Sequence, residues 1–181
     1  MIKILKSEFE TRIQRIQGKL AEKGLDGLMV YGDEYRKENL RYVSNFWPIF
    51  ERSACFIPRK GAPILAVAPE GALYAHEMSV WSDLRNVREF ACVSVPEEID
   101  YPLADFSSFK VILKEILAGG KCLGIVGLSD ISAPVMERIR NAITSLQIVD
   151  AAAIITELRI IKTADEIACL REAGRQACLG Y

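Results

Sequence analysis

The sequence is poor in the side chains that most often carry catalysis or bind metals, with a single histidine and five cysteines in 181 residues. The cysteines are odd in number, widely spaced and without a Cys-x-x-Cys pair, so reduced thiols are favoured over disulfides or a zinc site. Nucleophilic triads need a base such as histidine, and no serine or cysteine lies directly beside His76. We therefore predict that His76 is a partly exposed surface residue.

Long apolar runs and strongly basic segments are also absent. Lys+Arg total 23 and Asp+Glu total 24, which gives a formal net charge of -1. Without a basic run, nucleic acid and anionic membranes are poor candidate partners. No apolar stretch approaches the roughly 20 residues that span a bilayer, and Lys3 and Lys6 interrupt the N-terminal apolar residues, which argues against a signal peptide. We expect a cytoplasmic protein.

The composition is that of a globular protein, with 50% hydrophobic and 26% charged residues. Helical patterns alternate with short apolar runs that predict strands near residues 27–31, 53–57, 64–68, 87–95, 123–127 and 147–149. Proline- and glycine-containing residues 58–63 separate two of these runs, which predicts a hairpin. The pattern predicts an α/β fold, with a mixed sheet of about five or six strands and helices on both faces.

Three helix starts are predicted from capping residues. Ser7 and Glu10 form a capping box at the first of them. Asp105 is predicted to cap a helix whose apolar face begins at Phe106. Thr163 and Glu166 form a capping box, so a further helix is expected from Ala164. The apolar face of this last helix comprises Ile167, Leu170, Gly174 and Ala177. It suits either the edge of a second domain or a terminal helix that docks back on its own domain, and the pattern favours neither.

Two stretches of the chain carry a resemblance to a known family. Leu158, Arg159, Lys162, Thr163, Glu166 and Ile167 resemble the junction between the two domains of the creatinase/prolidase/aminopeptidase P family, the pita-bread metallohydrolases. Residues 39–46 are similar to this family's Asn-x-x-Tyr-x-[Ser/Thr]-Gly-[Phe/Trp] segment, with Asn45 in place of glycine. Asparagine is among the few residues besides glycine that adopt left-handed backbone readily, so the replacement is mild.

The resemblance implies a creatinase/prolidase N-terminal domain with a ribonuclease H-like motif over residues 1–161. Residues 162–181 are then expected to be the linker and first helix of a catalytic domain that this chain lacks. In the parent protein, two divalent metals (Mn, Co or Zn) would hold a hydroxide that attacks the scissile bond of proline-containing peptides. The metal ligands would lie beyond Tyr181, so no metal ligand and no catalytic residue is predicted in this chain.

The resemblance also implies what this domain does. It is expected to contact its own catalytic domain, to form a homodimer, and to limit which substrates reach the active site of an Xaa-Pro aminopeptidase or dipeptidase. One alternative within the family is a creatinase-like C–N hydrolase. The alternative from another class is a non-enzymatic protein-interaction module of the same fold.

A loop with two aromatic residues and an arginine is the candidate substrate-binding site. Trp47, Phe50 and Arg52 are residue types that dominate binding energy at interfaces. Creatinase-like members have an aromatic-x-Arg pair similar to Phe50 and Arg52. By this resemblance Arg52 would bind a substrate carboxylate and Phe50 would form a wall of the catalytic pocket, either that of its own subunit or, across a subunit interface, that of a neighbouring one. The alternative is that Trp47 and Phe50 are core or interface residues and Arg52 is a surface charge.

Overall fold

The computed structural model describes residues 3–92 and 105–180. Within them lies a six-stranded mixed sheet with helices on both faces, so the predicted α/β fold is confirmed. The strands are β1 Gly27–Gly32, β2 Ser53–Pro58, β3 Ile64–Val67, β4 Leu84–Asn86, β5 Cys122–Val126 and β6 Gln147–Asp150. The helices are α1 Lys6–Glu22, α2 Glu38–Ser44, α3 Ala72–Met78, α4 Phe109–Leu117, α5 Ala133–Ala142, α6 Ala152–Ile160 and α7 Ala164–Leu179.

The strand order is β4-β3-β2-β1-β5-β6, with β1 at the change from antiparallel to parallel pairing. β1 pairs antiparallel with β2 and parallel with β5. The predicted hairpin is confirmed, since β2 pairs antiparallel with β3. Every residue of β1 is buried, as expected for a strand covered on both faces, where an apolar run replaces alternation.

Two apolar cores lie on the two faces of the sheet. Side chains of β1 alternate between them: Leu28 and Val30 belong to one core, and Met29 and Tyr31 to the other. The first core is covered by α1, α2 and α6, and the second by α4 and α5. Successive strand residues point to opposite faces, so a single apolar strand supplies both cores.

Asp26 ties the start of β1 to the start of β5. Its carboxylate oxygen Oδ2 accepts hydrogen bonds from the backbone N–H groups of Lys121 and Cys122, each at 2.9 Å. The other oxygen lies 3.4 Å from the Arg59 guanidinium. A Cβ on Gly120 would overlap this carboxylate. The Asp26 side chain therefore closes the junction between two strands that are distant in sequence.

Three local predictions are wrong. The Ser7–Glu10 capping box is not formed, because α1 begins at Lys6 and its capping position is Leu5, which offers no side-chain acceptor. The helix predicted from Asp105 begins at Phe109, because Ser108 is the capping residue and its side chain accepts from the Val111 N–H. Phe106 instead forms a β-bridge with Asn86, whose carbonyl also accepts from the Ser107 N–H at 2.8 Å. The strand predicted over 87–95 is displaced: β4 ends at Asn86 and a 3-10 helix follows over Arg88–Phe90. The rest of that prediction, 93–95, lies outside the described residues.

Three other expectations are confirmed. Asn45 has φ of 60° and caps the C-terminus of α2 in the left-handed conformation. The Thr163–Glu166 capping box is present at the start of α7. His76 is exposed on α3.

Candidate functional site

The helix α7 is attached to the rest of the protein at its first turn. Thr163 Oγ1 accepts from the Glu166 N–H at 3.4 Å, and Glu166 Oε2 accepts from the Thr163 N–H at 2.8 Å. None of the 16 residues of α7 is buried. On its apolar face Ile167 and Leu170 remain 38% and 58% exposed. The helix thus starts from a well-formed cap but contributes little apolar packing.

Arg12, on α1, is the buried charge that meets this first turn. It is 2% exposed and lies over the rings of Phe9 and Tyr42, at 4.8 and 4.2 Å from their centroids. Its Nε donates to Glu8 at 3.1 Å and its Nη1 to the Tyr42 carbonyl at 2.9 Å. Its Nη2 lies 3.1 Å from Glu166 Oε1, an ion pair whose N–H is not aligned for a hydrogen bond. Arg12 therefore joins α1, α2 and α7.

The two stretches that carry the family resemblance meet at the same place. Arg159 Nη1 donates to Asn39 Oδ1 at 2.6 Å, and the Tyr42 hydroxyl donates to the Leu158 carbonyl at 3.4 Å. Burial raises the pKa of Tyr42, so its hydroxyl stays protonated as a donor. We call Arg12, Asn39, Tyr42, Arg159 and Glu166 the junction network. Sequence inspection found four of its five members and missed Arg12, which appears in the sequence as an ordinary charge on an amphipathic helix.

A cleft of about 930 Å³ opens beside the junction network, between α7 and the body of the domain. Side chains of both charges line it: Lys3, Arg12, Arg41, Arg159 and Lys162 with Glu38, Glu77 and Glu166. Lys162 donates to the carbonyls of Arg159 and Ile160. Several of these charges are thus already satisfied within the protein.

The described residues do not fit the two-metal centre that the resemblance implies for a parent protein. Over 3–92 and 105–180, no group of three or more His, Cys, Asp and Glu side chains is arranged to hold a metal ion. In the same ranges, no helix is long and apolar enough to cross a membrane.

The loop before β2 holds the three predicted substrate-binding residues. Trp47 packs edge-on against Tyr74, with ring centroids 5.9 Å apart. The Arg41 guanidinium lies 4.3 Å from the centroid of the Trp47 ring. Phe50 is 44% exposed. Trp47 thus faces the first core, where Tyr74 is packed, and Phe50 is available for contact with another molecule.

Arg52 lies beside the other core. Its backbone N–H donates to the Phe90 carbonyl at 3.2 Å, and its side chain is near enough to the Tyr31 hydroxyl to lower the pKa of that group. Burial, with the Asp33 carboxylate next in effect, raises the pKa of Tyr31 to about 12, while the positive charge of Arg52 opposes this rise. Trp47 and Arg52 therefore have different partners on opposite faces of the sheet. Their joint role in substrate binding remains a prediction.

Glu51 is the residue in this loop that sequence inspection missed. It is 1% exposed. Its Oε2 accepts from the backbone N–H groups of Ile49 and Phe50 at 3.2 and 3.0 Å. Its Oε1 is buried without a partner among the described residues, and a Cβ on Gly71 would overlap it. Glutamate is almost always exposed unless paired, so no sequence signal marks this side chain as the support of the loop.

Comparison with known proteins agrees with this architecture. The model of the Creatinase/Prolidase N-terminal domain family matches residues 12–161. No curated protein matches the chain.

Three solved structures have the same fold at low sequence identity. The dipeptidase PepE from Mycobacterium ulcerans is 19% identical, with a TM-score of 0.64 over 96% of this chain and 42% of its own. The prolidase from Pyrococcus horikoshii is 18% identical, with a TM-score of 0.61 over 87% of this chain and 37% of its own. An Xaa-Pro aminopeptidase structure from Streptococcus pyogenes is 18% identical, with a TM-score of 0.59 over 86% of this chain and 100% of its own. This chain therefore spans less than half of the first two.

Proposed function

Because the chain belongs to the creatinase/prolidase N-terminal domain family, we propose that it acts as the non-catalytic N-terminal domain of an Xaa-Pro peptidase-type metallohydrolase. In this proposal, residues 1–161 form the accessory domain and residues 162–181 lead into a catalytic domain. The domain would contact that catalytic domain, take part in a homodimer, and restrict the peptides that reach the active site. The protein would work in the cytoplasm, where its thiols stay reduced.

The junction network is the observation that carries this proposal. It holds the first turn of α7 by a buried arginine and a capping box, yet none of the α7 residues is buried. Apolar side chains on a helix are normally covered, since burying one contributes about 1.5–3 kcal/mol. A firmly attached helix with an open apolar face suits a domain whose partner packs against it.

A role in substrate binding is proposed for Phe50 and Arg52, with Trp47 as a supporting residue. An exposed aromatic ring can form a pocket wall, and a guanidinium can bind a carboxylate through two parallel hydrogen bonds. Phe50 is the exposed ring of the three residues, and Glu51 holds its backbone N–H. In a proline-containing peptide, the C-terminal carboxylate is the group that Arg52 would recognise.

Catalysis is proposed to lie outside the described residues, where two divalent ions would activate water in the catalytic domain. The test compares this 181-residue chain with the longest open reading frame that contains it. Metal content is measured by mass spectrometry, and hydrolysis of an Xaa-Pro dipeptide is followed with added Mn²⁺. We expect about two metal ions and turnover in the longer protein, and neither in the chain alone.

Two outcomes would contradict the proposal. Turnover by the purified 181-residue chain would place catalysis within it. A longer protein without metal and without turnover would favour the interaction module, and the next experiment would then be a search for protein partners.

A further inference from the structure

We infer that the Arg12–Glu166 ion pair sets the direction in which α7 leaves the domain. Glu166 would act as a positioning residue that couples the helix cap to the body of the protein.

Apolar packing does not account for the position of α7. None of its residues is buried, and among its apolar side chains Leu170 is 58% exposed even though it lines the cleft. The chain before α7 is better anchored, because Leu158 is buried and Arg159 bonds to Asn39. The break between the anchored and the open segment falls at residues 161–163, immediately before the capped turn.

Glu166 makes two different contacts with its two carboxylate oxygens. Oε2 accepts from the Thr163 N–H and so completes the cap, which is local to α7. Oε1 lies 3.1 Å from Arg12 Nη2, which belongs to α1. A cap fixes where a helix starts, whereas a contact with another element also fixes how the helix is rotated and tilted. The contact of Glu166 Oε1 with Arg12 therefore sets the orientation of α7 relative to α1.

Arg12 is itself held rigidly enough to serve as a reference point. Two of its nitrogens donate hydrogen bonds, to the Glu8 carboxylate and to the Tyr42 carbonyl, and the rings of Phe9 and Tyr42 flank its guanidinium. Its side chain is 3% exposed and that of Glu166 is 14% exposed. At such low exposure solvent screens the pair weakly, so its attraction is stronger than that of a surface pair.

The experiment measures the distance between α7 and α1 with two spin labels. One label is placed on Cys178, which is exposed on α7, and the other on a cysteine introduced by Gln14→Cys at an exposed site of α1. Cys92, Cys122 and Cys169 are replaced by serine. Cys55 stays in place, because complete burial raises the pKa of its thiol and blocks labelling.

Glu166→Gln is the main variant, since glutamine keeps the size and an oxygen acceptor for the Thr163 N–H but loses the charge. We expect the distance distribution to broaden at least twofold. Amide exchange in the first turn of α7 should stay close to that of the unsubstituted protein. Glu166 is the more accessible member of the pair, so we expect the Glu166→Gln protein to fold. A substitution of Arg12, in contrast, would disturb the core.

Two further variants separate orientation from capping. Thr163→Ala removes the Oγ1 acceptor, and we expect amide exchange at Glu166 to rise roughly fivefold with an unchanged distance. Glu172→Gln is the matched control, because the partners of Glu172 among the described residues, Arg175 and Gln176, lie on the same helix. It should change neither measurement. A narrow, unshifted distance in Glu166→Gln would overturn the inference, and so would equal broadening in Thr163→Ala or Glu172→Gln.

Discussion

The junction network and the loop before β2 are both built around a buried charged side chain, but the two charges are satisfied differently. Arg12 has carboxylate, carbonyl and aromatic partners on three helices. Glu51 has only the N–H groups of its own loop, and one of its oxygens has no partner among the residues that the structure describes. One site ties distant elements together, and the other supports a local backbone shape.

This difference indicates what each site can tolerate. A charge with partners on several elements leaves several groups unpaired when it is removed, and each unpaired buried group costs free energy. A charge that serves one loop affects mainly that loop. The junction should therefore govern global stability, and the loop should govern the presentation of Phe50 and Arg52.

The largest expected effect comes from replacing Arg12. Arg12→Met should lower the free energy of unfolding by about 3–5 kcal/mol, because it leaves Glu166 and the Tyr42 carbonyl without their buried partner. Urea denaturation followed by circular dichroism provides the measurement. Arg15→Met, at an exposed position of the same helix, is the control and should stay within about 0.5 kcal/mol. Equal losses in the two variants would contradict this role of Arg12.

A smaller effect is expected at the support of the loop. Gly71→Ala should cost about 1–3 kcal/mol, since the added Cβ overlaps Glu51 Oε1 and the carboxylate must move. In a Glu51→Ala background the same substitution should cost almost nothing. Gly174→Ala is the control, because no described residue outside its own stretch of helix lies within 4 Å of the added Cβ. It should be neutral or stabilising by up to about 1 kcal/mol. A penalty at Gly71 that persists without Glu51 would contradict this account.

The smallest effect is a shift in a tyrosine titration. The pKa of Tyr31 is about 12, raised by burial and opposed by Arg52. Arg52→Gln should therefore raise it further, which phenolate absorbance can follow, with Tyr31→Phe to assign the signal. The pKa of Tyr31 in the folded protein lies above its value of about 10 in the unfolded chain. The stability that depends on a protonated Tyr31 is therefore fully present below pH 10 and is lost as the pH rises towards 12. An unchanged Tyr31 titration in Arg52→Gln would show that Arg52 does not influence the pKa of Tyr31.

Much of the architecture could be predicted from local patterns. Apolar runs identified the hairpin and the buried strands, Thr163 and Glu166 identified the start of α7, and Asn45 was recognised as a residue suited to left-handed backbone. Each of these signals acts over a few residues, so a short window of sequence contains it. Asp105 failed as a cap because Ser108, three residues later, competes for the same helix and the chain before it pairs with Asn86.

The two buried charges could not be predicted in this way. Arg12 and Glu51 are of types that are almost never buried unless they are paired. The burial of Arg12 depends on partners from other elements, Tyr42 and Glu166. The burial of Glu51 depends on the space left by the missing side chain of Gly71. The resemblance identified residues 39–46 and 158–167 as characteristic of the family but did not indicate their structural role. In the structure these two stretches are hydrogen-bonded to each other, through Arg159 with Asn39 and through Tyr42 with Leu158.

The hydrogen bonds between Asp26 and the start of β5 bear on the order in which the sheet assembles. β1, β2 and β3 follow one another closely along the chain, whereas the pairing of Gly27 with Leu123 closes a loop of about 100 residues. Distant pairings of this kind slow folding. The hydrogen bonds that Asp26 accepts from Lys121 and Cys122, at the start of β5, can form only after that closure. Interactions made so late mainly slow unfolding, so Asp26 would act on the lifetime of the native domain more than on the speed of its formation.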